Sequence, residues 1–257
     1  MSAPQSLTTA MPNGLTNAAA YQTMAQAGIP DPSWAHVYHN DFDTYLASDW
    51  TVSKTGTGTV ALAAVDGGQL LSTTTAGAVD AIYNQLTTAS FKLVPGKDAF
   101  FKFAGILADV TTEAFYAGLI ATSATPLAAA DGVWIYKAAG AATLSLSCVV
   151  GGVTTSFAFP VTALLVAAVQ FEVGFHIDYL GNVEAFLNPG TGADWQQLTP
   201  TSTNPTLLGR GRLVFAPNSS ITGGLTQVLL NPSFGIVNAA ASAHTLGCDY
   251  ITVARNR

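Results

Sequence analysis

The stretch Phe171-Glu-Val-Gly-Phe-His-Ile-Asp-Tyr179 sets Phe171, Val173, Phe175, Ile177 and Tyr179 at alternate positions, with Glu172, Gly174, His176 and Asp178 between them. Successive side chains of an extended chain point to opposite faces, so this spacing predicts a strand with one packed face and one that meets solvent or a partner. Leu180-Gly-Asn182 then supplies a turn and Val183 to Leu187 runs back, which predicts a β-hairpin ended by Asn188-Pro-Gly190.

Working outward, similar apolar runs lie at Phe100 to Leu107, Phe115 to Ala121, Val133 to Lys137, Thr143 to Val150, Arg212 to Ala216 and Cys248 to Ala254. Turn residues fall between them, as in Asp66-Gly-Gly68, Pro95-Gly-Lys97, Asp131-Gly132 and Gly151-Gly152. Short runs separated by such signals predict an all-β sandwich, and about a dozen strands fit two packed sheets. Val161 to Val169 reads equally well as a short helix or a buried strand.

Residues 1–35 have a different texture, with Thr, Ala, Asn and Gln around isolated apolar side chains. A short helix is expected across Asn17 to Ala27, ended by Gly28 and Pro30. Such a segment cannot bury a core of its own, so it is read as an N-terminal arm with Leu15, Tyr21, Met24, Ile29 and Trp34 as its anchors on another surface. Residues 36–257 contain no Pro/Ser-rich linker and are read as one domain.

Hydrophobic residues make up 49% of the chain and charged residues only 9%, against roughly 25% in ordinary soluble domains. A surface so poor in charge lacks the repulsion that keeps proteins apart, so self-association is expected. The net charge is −6 and no basic cluster exists to neutralise phosphates, so no nucleic-acid partner is expected. The longest apolar stretch is too short to cross a bilayer, and the first residues lack a basic region followed by an apolar core. No membrane partner or secretory signal is therefore expected.

Three stretches resemble concanavalin A-like jelly-roll domains. His39-Asn-Asp-Phe-Asp43 with Asp49-Trp50 is similar to the opening strand, the Phe171 to Leu187 hairpin to an internal strand-turn-strand, and Cys248 to Arg255 to a closing strand that returns beside the first. Within that fold, the Ala/Thr-rich neutral surface, the arm, and the phrases Ala117 to Pro126 and Asp131 to Tyr136 resemble decoration, or cement, proteins of tailed bacteriophages. That resemblance implies a homotrimer on the outer surface of the virion, made in the host cytoplasm, binding the major capsid protein and bridging capsomers.

The polar inventory points away from catalysis. A glycosidase needs two carboxylates flanking one bond, yet the only glutamates are Glu113, Glu172 and Glu184, and none belongs to a Glu-x-Asp-x-x-Glu motif. Glu172, His176 and Asp178 share one strand face, but two residues along a strand span roughly 6.6 Å, too far for one ion to be clamped without loops. His36 and His39 near Asp41 and Asp43 lack a second ligand pair, and His244 stands alone. Cys148 and Cys248 form no ligand motif and are read as buried thiols. No enzyme, cofactor or metal is expected.

The alternative is a carbohydrate-binding module or a tail-associated adhesin that contacts a surface glycan. Trp50 and Trp134 lie in strand patterns and are read as core. Trp195, after a turn in Gly192-Ala-Asp-Trp195, is the expected exposed sugar contact.

Overall fold

Alternation along the predicted hairpin builds the centre of one sheet. In the computed structural model, which describes residues 35–94, 96–141, 143–160, 165–179, 181–190, 195–198, 207–208, 212–214 and 228–257, Phe171, Val173, Phe175 and Ile177 all enter the core. They belong to strand β11 (Gln170–Ile177), which pairs antiparallel with β12 (Asn182–Asn188) across a turn where Gly181 takes φ 84°. Tyr179 departs from the expectation: the strand has ended, and the side chain is 58% exposed.

Seventeen strands occur among the described residues, more than the dozen expected. The earlier ones are β1 (Ala35–Asn40), β2 (Trp50–Thr55), β3 (Thr59–Leu62), β4 (Leu70–Thr73), β5 (Ala81–Leu86), β6 (Ala99–Leu107), β7 (Glu113–Ile120), β8 (Gly132–Lys137), β9 (Thr143–Val150) and β10 (Val153–Pro160). After the hairpin come β13 (Gln196–Leu198), β14 (Leu207–Leu208), β15 (Arg212–Val214), β16 (Asn231–Asn238) and β17 (Thr245–Asn256).

Two antiparallel sheets result. The ten-stranded sheet runs β14-β15-β12-β11-β6-β17-β4-β3, with β1 also on β17 and β13 also on β12. The seven-stranded sheet runs β10-β9-β8-β7-β16-β5-β2. The closing strand does return beside the first, since Ala35 pairs with Asn256 and Asn40 with Ile251. The opening strand sits earlier than His39 to Asp43, because the pairing stops at Asn40 and Phe42 turns into the core.

The core is aromatic and joins the sheets ring to ring. Phe115 of the seven-stranded sheet lies 5.0 Å from Phe171 of the ten-stranded sheet, and Phe234 lies 5.6 Å from Phe103. Cys148 and Cys248 are buried free thiols in the same core, as expected, and burial pushes the Cys148 thiol up to about 12. The Gly151-Gly152 turn joins β9 to β10, and both glycines have positive φ, the backbone a two-residue hairpin loop requires.

Of Val161 to Val169, the described residues 165–169 form neither helix nor strand. The expected helix at Asn17 to Ala27 and the arm anchors Leu15, Tyr21, Met24, Ile29 and Trp34 lie outside the described residues.

Candidate ligand-binding faces

Each sheet keeps one face against the core and turns the other outward. The outer face of the ten-stranded sheet gathers most of the polar residues singled out from the sequence. Glu172 accepts from Lys102 Nζ at 2.7 Å and Asn188 Nδ2 at 2.9 Å, and the Tyr250 hydroxyl also donates to it. His176 stacks on Phe100 with ring centroids 4.4 Å apart and lies between Asp98, at 3.3 Å, and Glu184, at 3.8 Å. Trp195 is half-buried rather than freely exposed, and Lys102 Nζ sits 4.9 Å over its ring. These side chains largely satisfy one another.

His36 and His39 do not converge. His36 stacks on Phe91 at 4.4 Å, whereas His39 Nδ1 meets Thr252 Oγ1 at 2.7 Å on the other side of β1. No group of three His, Cys, Asp or Glu residues able to hold a metal occurs among the described residues.

The outer face of the seven-stranded sheet is the less satisfied one. Reading across its registers, one row is Ser145, Tyr136, Tyr116, Gly235, Tyr83 and Ser53. The next is Ser156, Ser147, Trp134, Gly118, Ser233, Gln85 and Thr51. Trp50 is core as expected, but Trp134 packs here instead, with Tyr116, Ile120, Ala129 and Val149. The period of two explains this: Trp134 falls between the inward Val133 and Ile135.

Glycines let the rings approach the sheet. A Cβ on Gly235 would stand 2.6 Å from Tyr116 Cε1, and one on Gly118 would stand 2.5 Å from Trp134 Cα. Tyr83 and Tyr136 stay partly exposed, and burial raises both phenols above their ordinary value.

Around the rings, Gln85 Nε2 donates to Ser233 Oγ at 3.0 Å, Ser147 and Ser156 share a 2.7 Å hydrogen bond, and Asn231 Nδ2 donates to Thr122 Oγ1 at 2.9 Å. Two buried polar atoms on this face, the Tyr116 hydroxyl and Asn231 Oδ1, have no hydrogen-bond partner. Buried polar groups are nearly always paired, so these two are exceptions within the packed layer beneath the exposed rings. No carboxylate occurs among the outward residues of the two rows.

No protein-family model matches the sequence, and no curated protein matches it. Solved structures do share the fold. The lectin UEA-II complexed with galactose superposes with a TM-score of 0.55 at 9% identity, over 86% of this chain and 99% of that one. An endo-1,3-beta-glucanase from Streptomyces sioyaensis gives 0.54 at 13% identity, over 88% and 98%. The CBM2 module of the evolved Dit of Lactobacillus casei BL23 phage J-1 gives 0.50 at 7% identity, over 86% and 96%. At these identities the likeness shows the fold: a lectin-like jelly-roll β-sandwich.

Proposed function

We propose that this protein is a carbohydrate-binding module whose sugar site is the outer face of the seven-stranded sheet. The observation that carries the reading is the row of tyrosines on one sheet face, with Tyr83 and Tyr136 partly exposed on either side of the buried Tyr116 and with serine hydroxyls in the same and the next row. Sugars offer an apolar ring face to stack on an aromatic and hydroxyls to pair with such groups. The partly exposed Tyr83 and Tyr136 are the stacking positions. The lack of carboxylates in the two rows favours binding over glycosidic cleavage there. Structural likeness to a galactose-complexed lectin and to a glucanase supports a carbohydrate ligand.

A glycan array tests this. Tyr83→Ala and Tyr136→Ala are each expected to weaken the bound glycan about tenfold, the loss of one stacking contact. Trp195→Ala, on the other sheet, is expected to leave binding unchanged. Absence of any bound glycan, or loss only in Trp195→Ala, overturns the assignment.

A bacteriophage-particle location is the second reading, favoured by the 9% charged composition and by likeness to a phage Dit module. Here the domain is a homotrimer on the capsid surface that contacts the major capsid protein through the arm residues Leu15, Tyr21, Met24, Ile29 and Trp34, or an adhesin on the tail. Purified protein mixed with empty heads is expected to decorate them in electron micrographs, and deletion of residues 1–30 to abolish decoration. Bare heads with the full chain contradict the capsid placement.

A further inference from the structure

At one end of the sandwich the fold brings together residues that lie far apart in the sequence. The β16–β17 loop contributes exposed Ser242 and buried His244, and the start of β7 contributes Glu113, which is fully buried. His244 stands alone in the sequence, and the fold corrects that. Ser242 Oγ lies 2.6 Å from His244 Nε2, and His244 Nδ1 lies 3.1 Å from Glu113 Oε1. The Asp109 amide donates to the same Glu113 oxygen at 3.1 Å.

We infer that Ser242, His244 and Glu113 form a nucleophilic relay able to hydrolyse small acyl esters at this end of the sandwich, separate from the aromatic sheet face. The signature of an activated serine is a hydroxyl within hydrogen-bond reach of a base that a third group orients. Both relations hold here, with the nucleophile exposed, the base shielded and the acid buried.

The backbone around the relay is clamped. The His244 amide donates to Thr74 Oγ1 at 3.1 Å, and its carbonyl accepts from the Thr74 amide at 2.9 Å. Asn238 Nδ2 donates to the Ser242 carbonyl at 2.8 Å. Serine and histidine are thus held from both sides of Ala243, so their alignment costs little ordering at the moment of reaction.

Thr112 supplies a further part. Its hydroxyl donates to Asp109, so toward His244 Nε2, 3.0 Å away, it presents a lone pair. A proton arriving on Nε2 therefore finds an acceptor waiting. In the first step Ser242 Oγ attacks the acyl carbon while its proton passes to Nε2. The ester C–O bond breaks and the alcohol leaves with that proton. Water then attacks the acyl-serine, giving a proton to Nε2, and the carboxylic acid departs as Oγ recovers it.

Glu113 acts through His244 and is a positioning residue. Asp109, Lys137 and His244 face it. Burial pushes its carboxyl up to about 8, opposed chiefly by the Asp109 amide. The ionised carboxylate that orients His244 is therefore the major form only above that pH, and the relay strengthens in alkali.

The test uses the full chain with diisopropyl fluorophosphate and p-nitrophenyl acetate. A covalent adduct is expected on Ser242 of the folded protein, forming faster at pH 9 than at pH 6, and absent after denaturation. Ser242→Ala, at an exposed loop position, is expected to keep its melting temperature and lose both adduct and ester hydrolysis. Glu113→Gln is expected to slow labelling at pH 9 on the order of tenfold or more and to flatten the pH profile. No adduct at Ser242 at pH 9, or hydrolysis that persists in Ser242→Ala, overturns the inference.

Discussion

Replacing Glu113 by glutamine is expected to stabilise the protein at pH 9 by about 5 kcal/mol and to change it little near pH 4.5. In the unfolded chain this carboxyl titrates near its ordinary value of 4.5, whereas burial in the fold delays ionisation to about 8. A carboxyl whose folded value is raised favours the folded state fully below the unfolded value. That contribution is lost as the pH rises through the folded one. The wild type should therefore lose stability from about 4.5 to about 8 and then level off. The substituted amide keeps the shape and the hydrogen bonds with no charge to bury, so the slope disappears. Urea midpoints from pH 4.5 to 9 read the difference. Parallel curves for the two proteins would show that Glu113 is ionised throughout, and would remove the reason for an alkaline relay as well.

Phe234→Ala is expected to cost about 3–5 kcal/mol, the range for emptying a well-packed aromatic site. Phe234 is fully buried, and its ring lies 5.4 Å from Trp50, 5.6 Å from Phe103 and 6.0 Å from Phe42. It is the point at which both sheets and the turn after β1 share one contact. The cavity left behind cannot close without moving all three, so little of the loss is recovered. A midpoint shift corresponding to less than about 1 kcal/mol would mean that the core collapses around the smaller residue.

How far the molecule could be read from its sequence depended on how many faces each strand buries. Phe171 to Ile177 stood out because its outer residues, Glu172 and His176, are polar and break the run. β7 gives no such signal, since every residue from Glu113 to Ile120 is buried, and its apolar run hides which face is which. β16 escapes notice for the same reason: Asn231 to Asn238 is almost wholly buried and is an inner strand of its sheet. The core role of Trp50 followed from its place in a strand, but Trp134 needed the phase of β8, which only the pairing fixes. Trp195 looked free because nothing in its own neighbourhood announces Lys102. Glu113 and His244 carried no local pattern at all, since their meeting depends on loops at the ends of strands in different sheets.

The position of the last two strands sets a timetable for synthesis. No pairing among the described residues joins β1 through β5 directly to β6 through β15. β16 links β5 to β7 in one sheet, and β17 links β1 and β4 to β6 in the other. Until residues 231–256 have left the ribosome, the nascent chain therefore holds separate sets of paired strands with open edges. Those edges are competent to pair with another chain, so this is the interval in which a chaperone matters most. Closure depends on contacts distant in sequence, so folding should be slow and should end with the insertion of these two final strands.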